Sequence, residues 1–342
     1  MNSEFEQIKK RRLPWIDCAK GIGMLCVILG HTGFGGFETI LYTFHLPLFF
    51  FLAGYTFNGE YDFSVFIKKK IKRMIIPYFS LGVLLVLWYC LRKASLWHDY
   101  NPESYYNLLR DLFVQKRFLS IWFIAALFVS ELLFYGIYHL TKKNDKYTII
   151  GAFSIGVVGF VYFANKMPAL PWNADLAIAA LTYLSLGYCI KKLKLLDYVE
   201  IMKPGKRVLI ASICCIFTCI TAMVSYYLSG VSFDFANGTV GKLYLTVPAA
   251  ISGIIFILIF STLIKSKILE FIGRKSIVFL ALHQSVFIIP MIELSEAYGI
   301  LNMDIPSIRL VRAILVVILT IACCTLSVLV LEKCKMKCLI GE

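Results

Sequence analysis

Residues 44–55 read Phe44-His45-Leu46-Pro47-Leu48-Phe49-Phe50-Phe51-Leu52-Ala53-Gly54-Tyr55, an apolar run interrupted by one imidazole and one proline. Followed outward, the run becomes a near-continuous apolar span over 38–58. That is about the 20 residues that cross a bilayer as helix. Further spans fall near 14–33, 73–91, 119–140, 147–164, 174–190, 207–228, 244–264, 276–293 and 308–331. Of the 342 residues, 59% are apolar and 16% charged. Soluble domains run at roughly 45–50% and 25%. The composition excludes an ordinary soluble enzyme, a disordered chain and a nucleic-acid-binding module. The expected fold is all-α, a polytopic membrane helix bundle of about ten transmembrane helices. It forms a single membrane-embedded domain over 1–342, with short tails at about 1–13 and 332–342.

The net charge of +14 is then a statement about loops. With ten crossings, 25 basic residues fall on the face that carries both termini, from Lys9-Lys10-Arg11-Arg12 to the C-terminal tail. The opposite face carries seven: Arg92, Lys93, Arg110, Lys116, Arg117, Lys166 and Lys242. The positive-inside rule places both termini in the cytosol. The first span carries charges and has no cleavage-like end, so it reads as a retained helix rather than a signal peptide. No loop exceeds about 30 residues, which leaves no room for an appended soluble domain. In the longest, 92–118, the stretch 105–113 reads as a short amphipathic helix lying on the membrane. The eleven Cys lie mostly inside apolar spans, without CxxC or zinc-type spacing, and read as small hydrophobes.

Ionisable groups inside spans are costly and point to function. The first span holds Asp17, Lys20 and His31. Lys20 and His31 are eleven residues apart, so they project from one face about 17 Å apart along the axis. Asp17 lies on nearly the same face as Lys20 and can pair with it. The alternative for this pair is a snorkelling lysine with its neutralising partner. A short Gly-rich turn, 33–36, joins the first span to the second, so His31 and His45 come to the same half of the membrane. Pro47 frees a backbone carbonyl and opens space beside them. Glu131 in the fourth span, Asp175 at the start of the sixth and His283 in the ninth are further candidates. For Glu131 and His283 the alternative is a hydrogen bond between helices. Arg309 and Arg312 open the tenth span, where interfacial anchoring is the simpler role.

These motifs resemble the acyltransferase-3 family of integral membrane acyltransferases, and within it the group similar to fucose 4-O-acetylases. The resemblance rests on Ile16-Asp17 and Lys20 ahead of His31, followed by the 44–55 run. Lys72-Arg73 before Pro77-Tyr78, Trp122-Phe123, Pro171 to Asp175, and Gly273, Ser276 and His283 support it. It implies transfer of an acyl group, usually acetyl from acetyl-CoA, to a hydroxyl of a glycan or its lipid-linked precursor. The expected setting is the plasma membrane, of the bacterial inner type, in contact with membrane lipid and without nucleic acid or metal.

The candidate catalytic set is His31, His45, Asp17 and Glu131. Lys20, Lys72, Arg73 and Arg274 are the candidates to hold the CoA phosphates on the basic face. Trp122, Asn173, Asp175 and His283 are the candidates for the acceptor. A sugar hydroxyl needs a base to attack a thioester, and a buried neutral imidazole supplies one. His31 is the expected base or transient acyl carrier, with His45 orienting it or donating to the oxyanion. A secondary transporter or glycan exporter using the same intramembrane His, Asp and Glu is the alternative from another class. The paired halves common in transporters are not visible in the sequence.

Overall fold

The computed structural model describes residues 13–33, 35–97, 102–114, 117–299 and 306–341. The basic run 9–12 and Lys116, both used above to orient the chain, lie outside the described residues. Among the described residues the chain is helical, with only an isolated antiparallel bridge between Asp234 and Thr239.

The chain opens with α1 (Pro14–Gly30) and α2 (Phe37–Thr56), joined by the turn whose Gly33 and Gly36 take positive φ, +70° and +94°. Next come α3 (Phe63–Lys70), a π-helical stretch Ile71–Ile75 and α4 (Ile76–Trp97). The basic run 68–73, expected as loop, is therefore helix. Lysine is a good helix former, and its long stem lets the charge reach water from a helical position. The short α5 (Pro102–Val114) is the expected amphipathic helix, with Leu112 buried and Tyr106 and Phe113 exposed. It is pinned where the Tyr78 hydroxyl donates to the Leu112 carbonyl at 3.0 Å. Then follow α6 (Trp122–Leu140), α7 (Asp145–Ala164), α8 (Ala174–Lys192), α9 (Leu195–Ile201), α10 (Pro204–Ser229), α11 (Leu243–Leu263) and α12 (Lys267–Arg274). The chain closes with α13 (Ser276–Leu282), a π-helical stretch His283–Ile288, α14 (Ile289–Ala297) and α15 (Pro306–Lys333).

Nine stretches among the described residues are long and apolar enough to cross a membrane. They match the second to tenth expected spans in order. The first expected span is α1, whose 17 residues extend about 26 Å. The protein is a multi-pass membrane bundle. On α10 and α15, residues such as Ile213, Ile216, Ile220, Ile314 and Ile318 are exposed, forming the faces a bilayer would cover.

Inside, α8 is the central post, with Leu176, Ala179, Ala180, Leu181, Tyr183 and Leu184 fully buried against α2, α6 and α7. Glycines set the closest approaches. A Cβ on Gly54 would overlap the Leu184 carbonyl, and one on Gly187 the Phe51 carbonyl. Likewise Gly273 and Gly21 let α12 lie directly on α1. Without a hydrophobic drive between helices in lipid, such close backbone packing is a main source of association.

The two π-helical stretches share a cause. Each ends two residues before a proline, Ile75 before Pro77 and Ile288 before Pro290. Proline offers no N–H and crowds the carbonyl four residues back. The ladder upstream re-pairs with a longer step, and such widened turns recur at functional sites. One of the stretches carries Arg73, the other begins at His283.

Candidate active site

Three imidazoles reach one cavity of about 450 Å³. His31 comes from the C-terminal end of α1, His45 from α2 and His283 from the start of the second π-helical stretch. The cavity also touches Tyr42, Trp122, Arg117, Asp234, Asn237 and Gln284. The rings of His31 and His283 are 5.3 Å apart, centroid to centroid. Tyr42 stands beside both His31 and His45, 5.9 Å from the first ring and 5.2 Å from the second.

Each imidazole is held by its Nδ1. His45 Nδ1 lies 2.7 Å from the Leu41 carbonyl. His283 Nδ1 lies 2.8 Å from the Leu280 carbonyl and 3.0 Å from that of Phe279. Carbonyls only accept, so both Nδ1 atoms carry hydrogen and each neutral ring has its lone pair on Nε2. At His283 that Nε2 is buried and meets no hydrogen-bond partner among the described residues. The Tyr42 hydroxyl donates to the Gly30 carbonyl at 2.9 Å, which leaves its oxygen to accept from His31 Nδ1 at 3.4 Å. Gly30 makes this possible, since a Cβ there would come within 2.6 Å of the Tyr42 ring.

Neighbouring elements fix the segment around His283. The Ser120 hydroxyl donates to the Ala281 carbonyl at 2.7 Å, and Trp88 Nε1–H to the Ser285 carbonyl at 3.1 Å. Arg92 on α4 pairs with Glu293 on α14 at 2.7 Å.

One wall is built around Arg117. Its guanidinium takes both Asp175 carboxylate oxygens, at 3.1 and 2.6 Å, and donates through Nε to the Ala236 carbonyl at 2.6 Å. The Asn173 side-chain oxygen accepts from the Arg117 backbone N–H at 3.0 Å, while its Nδ2 donates to the Trp122 carbonyl at 3.2 Å. Asn173 and Asp175 thus stand behind the wall, not among the cavity-lining residues, whereas Trp122 lines the cavity. Arg117 ties their segment to the 231–242 loop. That loop presents Asp234, whose carboxylate accepts from the Ala236 N–H and the Asn237 side chain.

The remaining candidates lie elsewhere. Asp17 is buried where α12 crosses α1, with Lys20 one turn along. Eleven residues of helix, about 17 Å, separate Lys20 from His31. Glu131 is buried in α6 and ion-paired with Lys70. Lys72 and Arg73 are exposed in the first π-helical stretch. Arg274 is exposed and pairs with Glu270 at 3.5 Å. Sequence reasoning missed Tyr42, Asp234, Gln284 and the partnership of Lys70 with Glu131. Arg117 entered it only as a loop charge. Lys70 sits within a run of like residues, so only packing singles it out. Asp234 lies in a loop, and no motif there includes it.

The fold and the cavity together define a class: a multi-pass helical membrane protein with clustered imidazoles enclosed near one end of the bundle. Within that class the chain belongs to the acyltransferase-3 family, since the family model, described as an acyltransferase domain, matches residues 13–330. Comparison with curated proteins and with solved structures gave no match. The protein is thus a membrane acyltransferase.

Proposed function

We propose that the protein is an O-acyltransferase that moves an acyl group, in the first instance acetyl, from acyl-CoA to a hydroxyl of a cell-surface glycan or its lipid-linked precursor. In this reading it works in a plasma membrane, of the bacterial inner type, with both termini cytosolic. The observation that carries the reading is the convergence of His31, His45 and His283 on one cavity, with the His283 Nε2 lone pair unengaged.

Chemically, His31 takes the acceptor hydroxyl proton as the oxygen attacks the thioester carbonyl. The tetrahedral oxyanion collapses, the C–S bond breaks, and the imidazolium returns its proton to the departing CoA thiolate. His283 shares the proton load. Two imidazolium rings 5.3 Å apart would repel by about 3 kcal/mol at an effective dielectric of 20. The pair therefore holds one proton at a time. His45 and Tyr42 keep the arrangement in register. Lys20, Lys72, Arg73 and Arg274 favour the polyanionic donor at the basic end. Trp122 offers the acceptor sugar an aromatic face.

The test is mass spectrometry of surface glycans from cells that express wild type or His31→Ala at equal protein level. An O-acyl group lost only in the variant supports the reading. Identical glycans in both would remove His31 from the chemistry. If deleting the gene also left acylation unchanged, glycan acylation itself would fall, and proton-coupled uptake into vesicles would be the next assay.

A further inference from the structure

Arg312 lies on α15 and is 4% exposed, yet its Nε and Nη1 find no hydrogen-bond partner among the described residues. Among the described residues, the carboxylate of the exposed Glu296 is 3.9 Å away, beyond hydrogen-bond reach. A guanidinium enclosed in this way costs several kcal/mol unless acceptors are supplied. What stands beside it is glycine backbone. Nη2 lies 3.8 Å from where a Cβ on Gly33 would stand, and Gly33 has no side chain. Arg309, one turn earlier on the same face, brings its Nη1 to 3.5 Å from the equivalent point on Gly35. The turn that frames both arginines follows directly on His31.

We infer that Arg312, with Arg309 beside it, forms a binding site for a lipid phosphate ester against the turn that follows His31. The planar fork of a guanidinium matches two phosphate oxygens, and the ester would satisfy the unpartnered N–H groups. Arg312 lies in the second turn of α15, which begins at Pro306, and from near a helix end its long stem lets the guanidinium reach toward the lipid phosphates. Two sources share this chemistry: the phosphate of a polyisoprenyl carrier bearing the acceptor sugar, and the headgroup of a membrane phospholipid. The first deepens the acceptor reading above and rests on it; the second does not.

The experiment uses the full chain in phosphatidylcholine nanodiscs doped with either a polyisoprenyl phosphate or phosphatidylglycerol, with retained lipid read by native mass spectrometry. Arg312→Gln should weaken retention of one probe by about 10- to 100-fold, the loss of one or two charge-assisted hydrogen bonds. Loss confined to the polyisoprenyl phosphate assigns the acceptor carrier. Loss confined to phosphatidylglycerol assigns a headgroup. Arg312→Lys keeps the charge without the fork and should fall between. If Arg312→Gln does not fold, Arg312→Lys and Arg309→Gln carry the comparison. Retention equal to wild type in the folded variants, for both probes, overturns the site. His31→Ala should bind the probes as wild type does, so failure of acyl transfer and failure of the phosphate site give separate results.

Discussion

His31 and His283 face one another across 5.3 Å although 252 positions separate them in the chain. One ends the first helix, and the other begins a π-helical stretch forced by Pro290. Their meeting makes His283 the most informative target. His283→Asn places an amide where Nδ1 was, so the bonds to Phe279 and Leu280 can persist while nothing replaces Nε2. We expect acyl transfer to fall by 100-fold or more, in the range of a lost general acid–base group, roughly 10²–10⁴. Thermal unfolding should be unchanged. Transfer at the wild-type rate would mean that the unengaged lone pair is idle.

Trp88 and Ser120 hold the His283 segment without lining each other's contacts. Trp88→Phe deletes the N–H that reaches the Ser285 carbonyl. One such bond is worth about 1 kcal/mol, so kcat should drop roughly fivefold while KM for the acyl donor stays constant. A matching rise in donor KM with constant kcat would assign Trp88 to donor binding instead.

Arg117→Lys should show that a single charge does not replace a fork. Lysine cannot span both Asp175 oxygens and also reach Ala236 and Asn173. Asp175 is 2% exposed, so leaving it poorly paired should cost about 3 kcal/mol. The readout is the thermal midpoint in detergent. Arg117→Ala should be lower still, and a double variant with Asp175→Asn should recover part of the loss. Equal midpoints for all would make the pair a surface ornament.

Gly54→Ala and Gly187→Ala test the α2–α8 contact. Each added methyl would meet a backbone carbonyl of the facing helix. Helices must separate to admit it, at about 1–3 kcal/mol or more. Reduced yield of folded protein is expected for both, and Gly136→Ala, which meets open space, should behave as wild type.

Glu60, in the turn between α2 and α3, is held below the usual carboxylate range by the Tyr138 hydroxyl first and by Lys143 second. Its folded pKa is depressed, so its stabilisation is present above the unfolded pKa and is lost as pH falls through the folded one. The thermal midpoint of wild type should decline on acidification below about pH 5, and Glu60→Gln should flatten that decline. Parallel curves for the two proteins would show that other carboxylates govern it.

The amino-acid sequence by itself determined the all-α bundle and nine of its crossings in order, together with α1 as a helix and the amphipathic α5. These are local properties: apolar length, proline and glycine placement, and the near absence of charge within a span. It also marked His31 and His45, because a short turn limits how far apart two adjacent helix ends can be. Tertiary structure alone decided the rest. Bringing His283 beside His31, clasping Asp175 with Arg117, pairing Glu131 with Lys70 and enclosing Arg312 all join residues distant in the chain. Such contacts depend on which helix faces pack together. In a bundle that apolar patterning barely distinguishes face from face, helix rotation is set by glycine approaches and buried polar partners, and those exist only once the helices have met.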